Sequence, residues 1–433
     1  MNRRLLPLPL ALLSLAALSH ADSSEAVSSG TAFNPKISLI LDGNAYRDNR
    51  QGKGGDLLDG MAGIDNGVHL GPRESGLQQG FNLGESELVM SAIVDPYFDG
   101  LLTLSVSGDG GTSLEESWIQ TRQLPDGLKL KVGKFLSGIG YQNSQHAHAW
   151  DFGDQNLAYR GALGGESLKD TGVQLTWLAP TDLYILLGAE ALQGNDQEKF
   201  GARVDADAAT GVLKATAGAL PDMKAGPRLS TAFAKFAPDL GETQALQIGL
   251  SYARAKQFQQ IIDPDGTPLS HDGYALDGSQ QLYGIDWVYK WDSPAEFGQG
   301  DIKVTGEYLR LKKNMTVVAT DTLSPLAQDG KVTGTQDGYY LQASYGIAPR
   351  WLLAARHDVN GRTNTLEEAG MTIDLKSSRR NSVSLAFLPS EFSRIRLQFD
   401  RGSIADDSGK STALRQVFLQ YTYSLGPHGA HSF

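Results

Sequence analysis

The stretch Gln416-Val417-Phe418-Leu419-Gln420-Tyr421-Thr422-Tyr423-Ser424-Leu425 alternates residue by residue. Val417, Leu419, Tyr421, Tyr423 and Leu425 fall on one face; Gln416, Gln420, Thr422 and Ser424 fall on the other, together with Phe418. Successive side chains of a strand point to opposite sides, so a period of two predicts a strand with one apolar and one polar face. In a soluble sandwich the apolar face would meet a second sheet. In a membrane barrel it meets lipid, with aromatic rings at the interface.

The pattern recurs along the chain. Leu102, Leu104 and Val106 oppose Thr103, Ser105 and Ser107. Val173, Leu175 and Trp177 oppose Gln174 and Thr176, and Tyr283, Ile285, Trp287 and Tyr289 oppose Gly284, Asp286 and Lys290. Ile395, Leu397 and Phe399 oppose Arg394, Arg396, Gln398 and Asp400. A face with arginine at alternate positions does not suit a dry core, whereas a water-filled lumen accommodates it. No long amphipathic helix interrupts the series.

The connections alternate in length. Short turns carry Pro96, Pro125, Pro180, Pro238, Pro349 and Pro389. Long polar stretches lie near 47–79, 136–169, 192–226, 257–279, 313–336, 360–377 and 402–411. Outer-membrane barrels have this asymmetry, with short periplasmic turns and longer outer loops. The segments number about 16, an even count of the kind single-chain bacterial barrels have. The expectation is therefore an all-β chain forming an antiparallel transmembrane β-barrel.

The N-terminus agrees. Arg3 and Arg4 precede the apolar run Leu5 to Leu18, and Ser19, His20 and Ala21 place small residues at the −3 and −1 positions. This predicts a signal peptide at residues 1–21, a short polar leader at 22–35 and a barrel over 36–433. The apolar run is too short for a spanning helix, which needs about 20 residues. The 433-residue chain has 50 glycines, no cysteine and a formal charge of −11, so it carries no disulfide frame or thiolate metal site. Its acidity argues against nucleic acid as a partner. The expected surroundings are outer-membrane lipid and lipopolysaccharide on the surface of a Gram-negative cell.

The segment Gly133-Lys134-Phe135-Leu136-Ser137-Gly138-Ile139-Gly140-Tyr141 precedes a long stretch containing Asp151-Phe152 and Leu157-Ala158-Tyr159-Arg160. Asp170-Thr171-Gly172-Val173-Gln174-Leu175 follows. Together they resemble the phosphate-selective porin superfamily. The Phe33-Asn34-Pro35-Lys36-Ile37-Ser38 opening, the Gln145-His146-Ala147-His148-Ala149-Trp150-Asp151-Phe152 block and the Gly426-Pro427-His428-Gly429-Ala430-His431 ending resemble proteobacterial outer-membrane porins, some labelled zinc-regulated outer-membrane receptors. The resemblance implies a 16-stranded barrel, often trimeric, with a loop folded into the pore, and passive diffusion of small hydrophilic solutes or ions. The phosphate-selective members carry many pore lysines, and this acidic chain does not match them there, so phosphate selectivity is not carried over.

If the loop at 136–169, after the fifth strand, folds inward as the resemblance implies, it brings Asp151, Asp154, Glu166 and Asp170 towards the lumen. The wall would supply Lys129, Lys131, Arg380, Arg394 and Arg396. Acids on the loop opposite bases on the wall would set a transverse field that tunes ion selectivity. His146 and His148 stand two apart and point the same way if extended, with Asp151, or His428 and His431, as conceivable co-ligands. Two loop histidines do not make a four-ligand site, and ordinary hydrogen bonding is the expected role. No cofactor is expected.

No Gly-x-Ser-x-Gly elbow or His-Glu-x-x-His helix is present, so an enzyme is not expected. A plugged receptor of about 22 strands needs a longer chain. The alternative to an open channel is a gated, specific transporter without a plug; an adhesin ranks below it.

Overall fold

The computed structural model describes residues 34–64 and 78–426, apart from 85, 109, 196–198, 202–203, 205–218, 263–272, 322 and 325. The expected signal peptide, nearly all of the expected leader, and His428 and His431 lie outside the described residues. The described chain is one antiparallel sheet of 19 paired segments. Three barrel strands are interrupted, and the segments make a closed barrel of 16 strands.

These are β1 (Lys36–Asp48), β2 (Gly80–Leu83 and Ser86–Ile93), β3 (Phe98–Val106), β4 (Thr112–Thr121), β5 (Leu128–Leu136), β6 (Lys169–Leu178), β7 (Tyr184–Leu192) and β8 (Leu229–Ala237). There follow β9 (Gln244–Ile262), β10 (Tyr274–Trp291), β11 (Ile302–Thr320), β12 (Lys331–Ala348) and β13 (Trp351–Asn360 and Thr365–Glu368). The last are β14 (Met371–Asp374 and Ser378–Ser390), β15 (Ser393–Ala405) and β16 (Ser411–Leu425). Each strand pairs with the next. β1 closes the ring on β16, from Leu39 opposite Leu425 to Asp48 opposite Gln416.

Burial identifies the solvent outside. In β16, Leu419 and Tyr421 are 49% and 50% exposed, whereas Gln416 and Phe418 are each 2% exposed. The apolar side faces out and the polar side faces in, the inverse of a water-soluble sheet. Leu175, Leu250, Ile285, Leu341, Leu353, Val383 and Leu397 continue the apolar exterior around the ring. Such a surface is stable against hydrocarbon, and the fold is that of an outer-membrane β-barrel.

Strand lengths differ from the sequence expectation. β9 to β12 run for 18 or 19 residues, where about 9–11 suffice to span a membrane. The stretches read as loops near 257–279, 313–336 and 360–377 are therefore partly strand. Beyond the bilayer the outer face need not be apolar. The alternation fades there while the backbone ladder continues. A second departure is a bulge between β3 and β4, where pairing steps from Thr103–Glu116 to Leu104–Leu114. Glu115 is the extra residue, so Glu115 and Glu116 both turn inward.

The lumen is not uniformly wet. Ile139, Tyr159, Leu163 and Leu168 of the long loop pack with Phe135, Leu192, Leu229, Phe233, Ala253, Leu282, Leu309 and Tyr340 of the wall. This dry sector occupies the β5 to β12 side. The first outer loop also turns in. Its helix α1 (Gly54–Asp59) leads to Met61, Ala62 and Ile64, all buried, with Ile64 N–H donating to Gln336 Oε1 at 2.9 Å.

The faces make a mutational prediction. Leu175→Arg should destabilise the barrel by roughly 2–4 kcal/mol near the midplane, and Gln174→Arg should leave stability nearly unchanged. Equilibrium unfolding in lipid vesicles reads the difference. Equal losses on both faces would mean that neither face meets lipid.

Candidate functional site: the lumenal loop

Residues 137–168 leave β5, cross the lumen and return to β6. Two glycines make the entry. A Cβ at Gly138 would lie 2.4 Å from the Phe233 ring, and one at Gly140 (φ +64°) would lie 2.1 Å from the Tyr159 hydroxyl. Only glycine lets the backbone lie this close to the wall. Further on, a 3-10 turn spans Ala147–Ala149 and helix α2 spans Leu157–Ala162. Asn156 Oδ1 caps α2 by accepting from Tyr159 N–H at 3.0 Å.

Wall carboxylates hold the backbone of the first half. Glu190 of β7 accepts from Ser137 Oγ at 2.5 Å and from Gly138 N–H at 2.9 Å. Glu307 of β11 accepts from Tyr141 N–H at 3.0 Å, Gln142 N–H at 2.8 Å and the Tyr159 hydroxyl at 2.7 Å; the Tyr340 hydroxyl also donates to it. Glu116 of β4 faces His146 Nε2 at 2.9 Å, and Glu87 of β2 faces His148 Nδ1 at 3.1 Å. Glu190 and Glu307 thus satisfy backbone N–H groups of the buried loop, and Glu116 and Glu87 hold its histidine side chains.

Wall cations hold the second half. Asp151 pairs with Lys303 of β11 at 3.0 Å and accepts from Gln342 Nε2 at 2.7 Å. Asp154 pairs with Arg356 of β13 at 2.8 Å and with Arg380 of β14, and accepts from Gln398 Nε2 at 2.7 Å. Arg380 also pairs with Asp358 at 2.8 Å, and Asp358 accepts from Leu157 N–H at 3.1 Å. Burial pushes the Asp151 carboxyl up, but Lys303, Arg396 and Arg394 outweigh it and hold the group below the usual carboxylate range. Asp154 is likewise raised by burial and then brought far down by Arg380 and Arg356.

Arg394 and Arg396 of β15 behave differently. Arg394 donates to the carbonyls of His148 and, at 3.2 Å, of Trp150; Arg396 donates to Trp150 O at 2.7 Å. Their observed bonds go to neutral oxygens. Among the described residues, Nε of both and Nη1 of Arg396 have no hydrogen-bond partner, although Arg396 is 1% exposed.

The remaining expected residues lie apart from this crossing. Glu166 is exposed near the outer end and pairs with Lys169 at 2.5 Å. Asp170 is buried on β6 and accepts from Thr171 N–H at 2.7 Å and Gly194 N–H at 2.5 Å, tying down the next loop. Lys131 lies 4.7 Å over the Trp118 ring and interacts with Glu116. Lys129 interacts with Asp99, two strands away at the turn end. The expected separation of loop acids from wall bases is replaced by contact for Asp151, Asp154 and Arg380. The His146 and His148 rings meet carboxylates, and among the described residues no group of three or more such side chains is arranged as a metal site.

Sequence reasoning missed Glu87, Glu116, Glu190, Lys303, Glu307, Arg356 and Asp358. Each is an ionisable residue on the polar side of a strand, and that was the available signal. The pairing itself joins residues up to 246 positions apart.

The fold and this crossing define a class: a closed outer-membrane barrel with the loop after β5 bound inside. No family model matches the chain. A protein of Aquifex aeolicus (strain VF5), described as "Uncharacterized protein", is 34% identical over 414 residues, covering 93% of this chain and 80% of that one. The chain belongs to the same family as that protein. Among solved structures, OmpT of Vibrio cholerae in its trimer form is similar, with TM-score 0.51, 10% identity and coverage of 90% and 99% of the two chains. The outer membrane channel DcaP of Acinetobacter baumannii has TM-score 0.52, 10% identity and coverage of 90% and 97%. An anion-selective porin from Comamonas acidovorans has TM-score 0.50, 9% identity and coverage of 90% and 99%. These likenesses are of fold.

Glu307→Ala removes the acceptor of four donors and should loosen the loop by at least about 2 kcal/mol. Limited proteolysis of the folded protein should then cut within 137–168 while the barrel stays intact. A loop as resistant as that of the unaltered protein would mean Glu307 does not hold it.

Proposed function

We propose that the chain is an outer-membrane porin, a passive diffusion channel for small hydrophilic solutes or ions, with the lumenal loop as its constriction. The observation that carries this reading is the loop itself, bound across a closed barrel by groups from at least eight strands. Filling the lumen with hydrogen-bonded polar chain narrows a 16-stranded barrel without sealing it against water. The fold likeness to channels and the resemblance to phosphate-selective porins support the reading; phosphate itself is not proposed as the solute. The trimer form of the Vibrio cholerae protein makes a homotrimer the proposed assembly.

Asp151, Asp154, Arg380, Arg394 and Arg396 are the proposed constriction residues, with Lys303 and Arg356 added. Arg394 and Arg396 touch carbonyl oxygens rather than carboxylates, so their positive charge is the one whose field a passing anion would feel. A gated transporter is the second reading, favoured by the dry sector and by the inward turn of residues 61–64.

Single-channel recording in planar bilayers with a salt gradient tests both readings. A steady conductance supports the open channel, and silence supports the gated one. Deleting residues 142–156 should raise conductance. Arg394→Gln with Arg396→Gln should shift selectivity towards cations, and Asp151→Asn with Asp154→Asn towards anions. Both shifts should shrink at about 1 M salt, where the Debye length falls from about 10 Å to about 3 Å. Unchanged reversal potentials in all variants would place selectivity elsewhere.

A further inference from the structure

His146 sits between two buried carboxylates from different strands. Its Nε2 is 2.9 Å from Glu116 Oε1 and its Nδ1 is 3.5 Å from Glu87 Oε1. His148 Nδ1 approaches the same Glu87 oxygen at 3.1 Å, and the two rings stack with centroids 5.8 Å apart and planes 15° apart. Glu116 Oε2 is committed as well, accepting from Trp118 Nε1 at 3.1 Å and Leu136 N–H at 3.2 Å. An ionised carboxylate only accepts hydrogen bonds, and a neutral imidazole donates from one nitrogen alone. Only the imidazolium satisfies both sides of His146.

We infer that the proton on His146 positions the tip of the lumenal loop around His146 and His148, clamping it between β2 and β4, and that its loss frees this tip on the alkaline side. The inference rests on the loop being the constriction only for its effect on conductance; the clamp stands on its own geometry. The titratable and charged groups around it are Glu87 from β2, Glu116 from β4, Lys131 from β5 beside Glu116, His148 on the loop, and Arg394 from β15 bonded to the His148 carbonyl. Without the proton, one ring nitrogen faces a carboxylate lone pair to lone pair, and two acids lose their shared cation. Repulsion then replaces attraction at the tip that carries the turn Ala147–Ala149.

The direction follows from linkage. Burial pulls the His146 imidazole down, but Glu87 and Glu116 outweigh it and raise the group well above its ordinary value. A raised group contributes fully below its free value of about 6.5 and ceases to contribute as pH rises through the raised one. Asp151 and Asp154 lie below the usual carboxylate range, so their contacts persist until the medium is more acidic than that range. The rest of the loop therefore stays seated, on Glu190 and Glu307 before the tip and on Asp151 and Asp154 after it, while the tip lets go, and the response is one-sided.

The chain has no cysteine, so Ala147→Cys provides a unique thiol on an exposed turn residue for a nitroxide label. The labelled full-length barrel in lipid bilayers is followed by spin-label mobility, and by conductance, from about pH 6 to about pH 10. Mobility and conductance should rise together through one titration. The added negative charge should raise the cation-to-anion ratio roughly two- to fivefold for a site within 4–8 Å of the ion path. His146→Gln should be mobile throughout with no titration. Glu116→Gln, which keeps the shape, should lower the midpoint by about one unit or more. Heat-modifiable migration confirms that each variant is folded. A flat mobility profile in the His146 protein, or the same titration in His146→Gln, overturns the clamp. A mobility transition without conductance at any pH overturns the pore reading and leaves the clamp standing.

Discussion

Every feature of this molecule depends on one constraint: within hydrocarbon, a strand's N–H and C=O groups have no water to turn to. Each unpaired group would cost several kcal/mol, so an open sheet edge is excluded and the sheet must return on itself. The ten-residue pairing of β1 with β16 makes that closure. Closure fixes two things at once. The outward face must be apolar around the whole ring, and the inward face is released from that demand. A lumen able to hold arginine, aspartate and glutamine is thus a by-product of satisfying the backbone.

A lumen of 16 strands is wider than its own side chains can fill. The loop after β5 fills it, and the wall has a chemical division that suits the loop's direction. Acids on β2, β4, β7 and β11 receive backbone N–H groups and histidine from residues 137–148. Cations on β11, β13, β14 and β15 receive carboxylates and carbonyls from residues 148–154. Removing either partner of a buried pair is costly, because the other charge stays behind unpaired. The loop therefore has one seating in which Asp151, Asp154 and Arg380 all meet countercharges. Between the two polar arcs, the Phe135, Phe233 and Leu309 sector supplies non-directional adhesion that neither arc has.

The sequence made the barrel legible because lipid imposes a period-two rule that shows in single strands such as β16. It also placed Arg380, Arg394 and Arg396 on the lumenal side by parity alone. Parity failed at Glu115 and Glu116, where one bulge residue resets the phase, and it faded in β9 to β12 beyond the bilayer. The inward course of the loop came from a family resemblance, and the Gly138-Ile139-Gly140 close approach is visible as a cause only once Phe233 and Tyr159 are in place. Partners such as Glu307 for Tyr141 were illegible for a general reason. Contacts across a lumen join residues with no shared periodicity, and only the closed ring brings them together.

The ionisable residues singled out in the sequence, the loop acids through the resemblance and the wall bases through parity, fall into two kinds. Asp151, Asp154 and Arg380 are engaged by countercharges and spend their hydrogen bonds on holding the loop. Arg394 and Arg396 instead touch carbonyl oxygens, and among the described residues the Nε of each and the Nη1 of Arg396 have no hydrogen-bond partner. A hydrophilic solute that gives up part of its hydration shell needs replacement hydrogen bonds, and fully engaged groups have none to give. On the porin reading, charge on the wall is therefore a poor guide to the path of a solute by itself. Charge without a countercharge in contact is the better one, and it separates residues that hold the loop from those whose field acts on a solute.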